Sequence, residues 1–139
     1  SEPGEHTFIW TGTRHAFGAI MRFTGHDPVT PINAWSLLTT GSGATENPVS
    51  PGVTTTVANA MILRLGGFDD DDINIGNPGL PGHTGIVMDS SGAGSNTCSA
   101  GAGFLRLLDA GDSGTSTFTL KKEEQAVAIT IAIAPEVGP

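Results

Sequence analysis

The chain has 139 residues, a length suited to one domain, and only 14% of them are charged against the roughly 25% usual in globular domains, with Gly, Ser and Thr filling the gap. Fourteen acidic residues against six scattered basic ones give a net charge of −8, which argues against a nucleic-acid surface and an anionic membrane surface as partners. No apolar run reaches the roughly 18 residues of a membrane helix, so membrane insertion is not expected.

Period-two alternation and short apolar runs dominate, and helical periodicity is nearly absent. Residues 6–10 read as a strand with Phe8 and Trp10 on one face. A turn at 11–14 leads to a longer strand over 15–24, where Phe17, Ala19, Met21 and Phe23 share a face. These two form the clearest local hairpin. Residues 25–31 are a loop broken by Pro28 and Pro31, and 32–39 a strand around Trp35 and Leu37. A long polar loop covers 41–52, a β-branched stretch 53–57, and a buried strand 59–65. Residues 69–82 read as a loop, 83–89 as a strand and 90–103 as a Gly/Ser/Ala loop. A strand at 104–109, a turn at 110–114 and a strand at 115–120 with Phe118 inward follow. A helical turn is expected at 121–125, then a last strand at 126–134 with both faces covered.

Eight or nine short strands at this spacing predict an all-β fold: an antiparallel two-sheet sandwich, jelly-roll-like because very short and long loops alternate. One domain, 1–139, is expected.

Several segments resemble a loosely described family found in large exported proteins of marine and planctomycete-type bacteria and in bacteriophage virion proteins. The matching pieces occur in order: Trp10-Thr11-Gly12-Thr13-Arg14, Arg22-Phe23-Thr24-Gly25, then residues 27–32, 54–60, 69–73, 79–86, 118–120 and 126–135. The resemblance spans 8–133 and implies a β-sandwich with no assigned activity. It also implies strands preceding Ser1, with residues 1–5 as a mid-domain turn, so that the chain lacks N-terminal strands of the usual domain and offers a sheet edge for strand addition. Ser1 in place of Met fits removal of a preceding segment, and no signal-peptide pattern is visible.

Four consecutive aspartates, Asp69 to Asp72, are the most conspicuous polar cluster. Asp70 and Asp72 with Asn74 and backbone carbonyls are candidate Ca²⁺ ligands, since Ca²⁺ takes six to eight oxygens. The spacing does not match the twelve-residue calcium loop, and a solvated acidic turn is the simpler reading. His6, His15, His26 and His83 lack helical zinc spacing; His6 and His15 flank the first predicted turn, but two ligands do not make a zinc site. Gly111-Asp112-Ser113-Gly114 echoes a serine-protease nucleophile motif, yet reads better as a hairpin turn. Glu123 and Glu124 beside Lys121 and Lys122 read as a solvated charge pair. Trp10 and Trp35 fit inward positions, which leaves few platforms for sugar stacking. Cys98 excludes an internal disulfide and is expected to be a buried, inert thiol.

These readings point to a non-catalytic structural subunit of an extracellular assembly, a phage virion protein (capsid decoration or tail) or a surface-fibre protein. Its expected partners are other protein subunits, in a homo-oligomer or through strand-edge pairing. The alternative is a calcium-assisted carbohydrate-binding or adhesive module. No catalytic residue and no cofactor beyond the Ca²⁺ candidate is expected, and the location is extracellular or within a virion.

Overall fold

The computed structural model describes residues 4–94 and 96–136. The fold is all-β, with two antiparallel sheets stacked as a sandwich. Among the described residues, seven strands run in chain order: β1 (Ile32–Thr39), β2 (Val49–Ser50), β3 (Ala60–Asp69), β4 (Thr84–Ser90), β5 (Cys98–Leu107), β6 (Ser116–Thr117) and β7 (Ala126–Ile133). The large sheet has the order β1-β7-β3-β5-β4, and the small one pairs β2 with β6. The first and last strands are neighbours, as in a jelly roll, so closing the sheet requires long-range pairing.

Strand alternation sorts side chains onto two faces of the large sheet. The inner face carries Ile62, Arg64, Gly66 and Phe68 of β3 opposite Ala132, Thr130, Ala128 and Ala126 of β7. The small sheet and the loops around it cover this face, and two apolar clusters fill the gap. One holds Phe68, Ile73, Leu80, Phe118 and Leu120, the other Val53, Ala60, Ile62 and Ala132. Phe68 and Phe118 meet edge to face, with ring centroids 5.2 Å apart.

The glycines of β3 and β5 make this packing possible. A Cβ at Gly66 would lie 2.5 Å from the Phe68 ring and 2.8 Å from Phe118, and one at Gly101 would run into Met88 Sδ. The residues that look like loop formers in 90–103 therefore join a strand from Cys98 onward. They are small because large neighbours occupy the space above them.

Other expectations change in the same way. Residues 4–24 form no strand, so the predicted hairpin is absent. An isolated hairpin is marginal in water, and this one has no third strand to hold it. Residues 121–125 form a bend at 121–122 and a bridge from Glu124 to Thr45 rather than a helical turn, and residues 53–57 contribute only an isolated bridge, Thr54 to Asp112. The 115–120 strand shrinks to β6 with bridges at Phe118 and Leu120, while Phe118 points inward as expected. Residues 1–3 of the expected mid-domain turn lie outside the described residues.

The outer face of the large sheet aligns Trp35 and Leu37 of β1, Ile131 and Ile129 of β7, Leu63 and Leu65 of β3, and Phe104 and Ala102 of β5. No second sheet covers it among the described residues. The outer side of β7 is only partly covered, and Trp35 and Trp10, expected inward, are 67% and 54% exposed. Both tryptophans fit an alternating pattern that fixes their face, but alternation does not say which face meets a core.

Candidate functional site

Two surfaces stand out: an acidic corner at the end of β3, and the apolar outer face.

The acidic corner arises where β3 ends at Asp69. Asp70 then takes a left-handed backbone (φ 57°), which aspartate tolerates, and the chain reverses. Ile73 plugs into the core and bridges to Leu120, while the backbone N–H of Lys121 donates to the Asp72 carbonyl at 2.7 Å. The Asp69 N–H donates to the Gln125 carbonyl at 3.0 Å. These bonds draw the segment after Leu120 alongside the aspartates and deliver Glu124 to them. Carboxylate oxygens of Asp70, Asp72 and Glu124 all lie within 4.8 Å of one another.

Asp72 is buried, and among the described residues it pairs with the largely exposed Lys122, Nζ to Oδ2 at 3.5 Å. A lysine that exposed contributes little. Glu124 holds its proton above the ordinary carboxylate range. Burial is the first cause, followed by a hydrogen bond shared with Asp72 and the charges of Asp70, Asp72 and Asp69. A divalent cation would relieve this repulsion. The three carboxylates supply at most six oxygens, in the range Ca²⁺ takes.

Asp70 and Asp72 thus come together as the sequence suggested. Asn74 turns elsewhere, its Oδ1 accepting from the Asn77 N–H at 3.2 Å to cap its own turn. Glu124 was missed: adjacent lysines suggested a solvated pair, and only the bonds between 69–73 and 120–125 place it here. Asp69 and Asp71 are not part of this trio, although the Asp69 charge still acts on Glu124.

The remaining polar residues act structurally. Arg64 is fully buried between the sheets. Its Nη1 donates to the carbonyls of Pro51 (2.9 Å) and Ser50 (3.2 Å), and its Nη2 to those of Gly114 (2.8 Å) and Ser113 (3.3 Å). Its Nε donates to His83 Nε2 at 2.8 Å. His83 therefore carries its proton on Nδ1, which faces the Pro81 carbonyl at 3.0 Å. Burial holds the His83 pKa below its ordinary value, and the Arg64 charge adds to the depression. Burial likewise lowers the pKa of Arg64, with Asp112 acting against it.

Ser113 Oγ accepts from the Val53 N–H at 3.0 Å and donates to the Gly114 carbonyl at 3.1 Å. The protease-like tetrapeptide is a turn whose hydroxyl fastens two loops. His6 and His15 are both exposed, with no side-chain hydrogen bond among the described residues. Cys98, expected buried, is half-buried and free at the start of β5.

The outer face is crossed by residues 17–25. Phe17 lines one cleft with Thr39, Gly67 and Val127, while Met21 and Phe23 line another with Leu63, Ile131 and Ile133. The two clefts measure about 530 and 770 Å³. Upstream of this crossing the chain is exposed, with Phe8, Ile9 and Trp10 open to solvent.

Searches against protein-family models, curated proteins and solved structures find no match to this chain.

Proposed function

We propose that this chain is a non-catalytic structural subunit of an extracellular assembly, of the phage virion (capsid decoration or tail) or surface-fibre kind, joined to other protein subunits through its large sheet. The observation that carries the reading is the outer face, where aliphatic and aromatic side chains from four adjacent strands lie in one patch with no sheet over them. Leu63 and Ala102 of this patch are buried, but its β1 side, Trp35 and Leu37, is open to solvent, and exposed apolar surface of this kind marks interaction sites. Immunogold electron microscopy of native material tests it. Regular labelling of particles or filaments with many copies per object is expected. Native protein found only as a monomer in solution would refute it.

A second reading, a calcium-assisted carbohydrate-binding or adhesive module, is favoured by the convergence of Asp70, Asp72 and Glu124 and by two exposed tryptophans able to stack on sugar rings. A glycan array with and without Ca²⁺ separates the two. Calcium-dependent binding lost in Asp70→Ala and Asp72→Ala selects the second.

A further inference from the structure

We infer that His83 is an acid-opened latch: on taking up a proton it lets go of Arg64 and frees the turn at 79–83 from the network between the sheets. The device stands apart from the assembly reading above, and either can fail alone.

The turn that the latch holds is strained. Gly79, Leu80 and Gly82 all have left-handed backbone, at φ 82°, 53° and 76°. Glycine enters that region freely, whereas a branched side chain such as leucine rarely does. Leu80 is kept there by burial against Phe68, Ile73, Phe118 and Leu120, and by its N–H, which donates to the Thr117 carbonyl at 2.7 Å. The Thr119 N–H donates to the Pro78 carbonyl at 2.9 Å, and the His83 N–H closes the turn on the Leu80 carbonyl at 3.1 Å. Gly103 of β5 is the register partner of Arg64. A Cβ at Gly103 would lie 2.9 Å from Leu80 Cδ1 and 3.7 Å from His83 Cβ, so the glycine lets the turn close down on the sheet.

Among the described residues, His83 is the one side chain of 79–83 that hydrogen-bonds beyond the turn. Its Nδ1 faces the Pro81 carbonyl at 3.0 Å, and its Nε2 accepts from Arg64 Nε at 2.8 Å. A proton on Nε2 ends that second bond. Two N–H groups and two positive charges would then confront each other, because arginine keeps its charge. The surroundings offer no relief. Arg64 of β3 is the charge that acts on the ring, and Asp112 of the 110–114 turn acts on Arg64. Asp112 Oδ1 is engaged by the Gly114 N–H at 2.9 Å. From β5 comes Gly103, and from the turn itself the Leu80 and Pro81 carbonyls. No carboxylate pairs with His83 among the described residues.

Burial and the Arg64 charge both hold the ring neutral below the ordinary 6.5. The latch is therefore shut at neutral pH and opens as pH falls through the lower folded value. The ring is half-buried, so solvent protons reach it without unfolding. Opening is local. Arg64 gives only Nε to His83, and its Nη1 and Nη2 keep the carbonyls of Ser50, Pro51, Ser113 and Gly114. The sheets stay joined while the imidazolium turns to water, and the strained turn loses its tie to β3. Leu80 then uncovers the Phe68 and Phe118 end of the core.

Nuclear magnetic resonance of the full chain, from about pH 7.5 to about 4.5, tests the latch. The ring is expected to carry its proton on Nδ1 at neutral pH and to titrate below 6.5. Over that titration, hydrogen-exchange protection of the Leu80 and Thr119 amides should fall about tenfold after correction for intrinsic exchange, the size of one lost hydrogen bond to a charged group. Amides of the β3 and β7 ladder should keep their protection. In His83→Gln the side-chain carbonyl can accept from Arg64 Nε and does not titrate, so the fall at Leu80 and Thr119 should be absent. A ring that titrates at or above 6.5 overturns the latch, as does a titration that leaves both amides protected. An equal loss across the β3 and β7 ladder, or the same fall in His83→Gln, also overturns it.

Discussion

Replacing Arg64 with methionine tests what binds the small sheet to the large one. Methionine keeps most of the stem and removes the guanidinium, whose donors reach four backbone carbonyls and His83. Swapping a buried charge for an apolar side chain is often neutral, because the desolvation cost disappears with the charge. Here the acceptors are backbone atoms that the substitution cannot remove. Ser113 and Gly114 lie in an accessible turn where water can replace the lost donors, and Thr130 Oγ1 still donates to the Pro51 carbonyl at 2.6 Å. Ser50 and His83 Nε2 lose donors with no such replacement. At about 1–2 kcal/mol for each buried acceptor left unpaired, the loss is about 3 kcal/mol. With a urea m-value of about 2 kcal/mol/M, the unfolding midpoint falls by about 1.5 M. Far-UV circular dichroism is the appropriate readout, since both tryptophans are exposed and report poorly on the core. Arg64→Lys, which keeps a charge but cannot reach both sets of carbonyls, should fall between the two. A midpoint for Arg64→Met within 0.3 M of the parent, on the order of the fitting error, would refute the view that this network joins the sheets.

Three further outcomes follow from the same geometry. His83 is held neutral in the folded state while its unfolded form takes a proton near the ordinary 6.5, so stability is complete above that value and declines as pH falls through it toward the lower folded value; urea midpoints at successive pH values should show this decline, and it should vanish in His83→Gln. Gly66→Ala should cost about 1–3 kcal/mol despite the usual gain from replacing a strand glycine, because the Phe68 and Phe118 rings cannot both withdraw; thermal melts read the sign, and a stabilised variant would contradict the packing. At the acidic corner, titration calorimetry should show Ca²⁺ binding that weakens as pH falls through the raised value of Glu124, since protons then compete for the same oxygens, and Glu124→Gln should weaken binding at neutral pH by about tenfold; heat unchanged by both would mean the corner takes no cation.

The β-branched and aliphatic alternation in 32–39 and 126–134 and the apolar run in 59–65 were sufficient to locate β1, β7 and the start of β3. A strand of that composition is determined by residues a few positions apart, and those are visible in order along the chain. The same local signal misled at 6–24, where alternation is clear but a partner is missing. It was silent at Cys98–Gly103, where the side chains are small because Met88 and Phe118 come from elsewhere. The acidic corner was half legible. Asp70 and Asp72 are two positions apart in one loop, while Glu124 arrives through bonds to a segment about 50 residues away. Arg64 carries no local mark at all: it sits in an apolar strand, and its acceptors at Ser50, Pro51, Ser113 and Gly114 are backbone atoms, which have no sequence signature. Sequence alone determined which residues share a face within β1, β7 and the start of β3. Only tertiary structure decided which face would be covered and which distant groups would meet, because both depend on long-range pairing that closes loops of many residues.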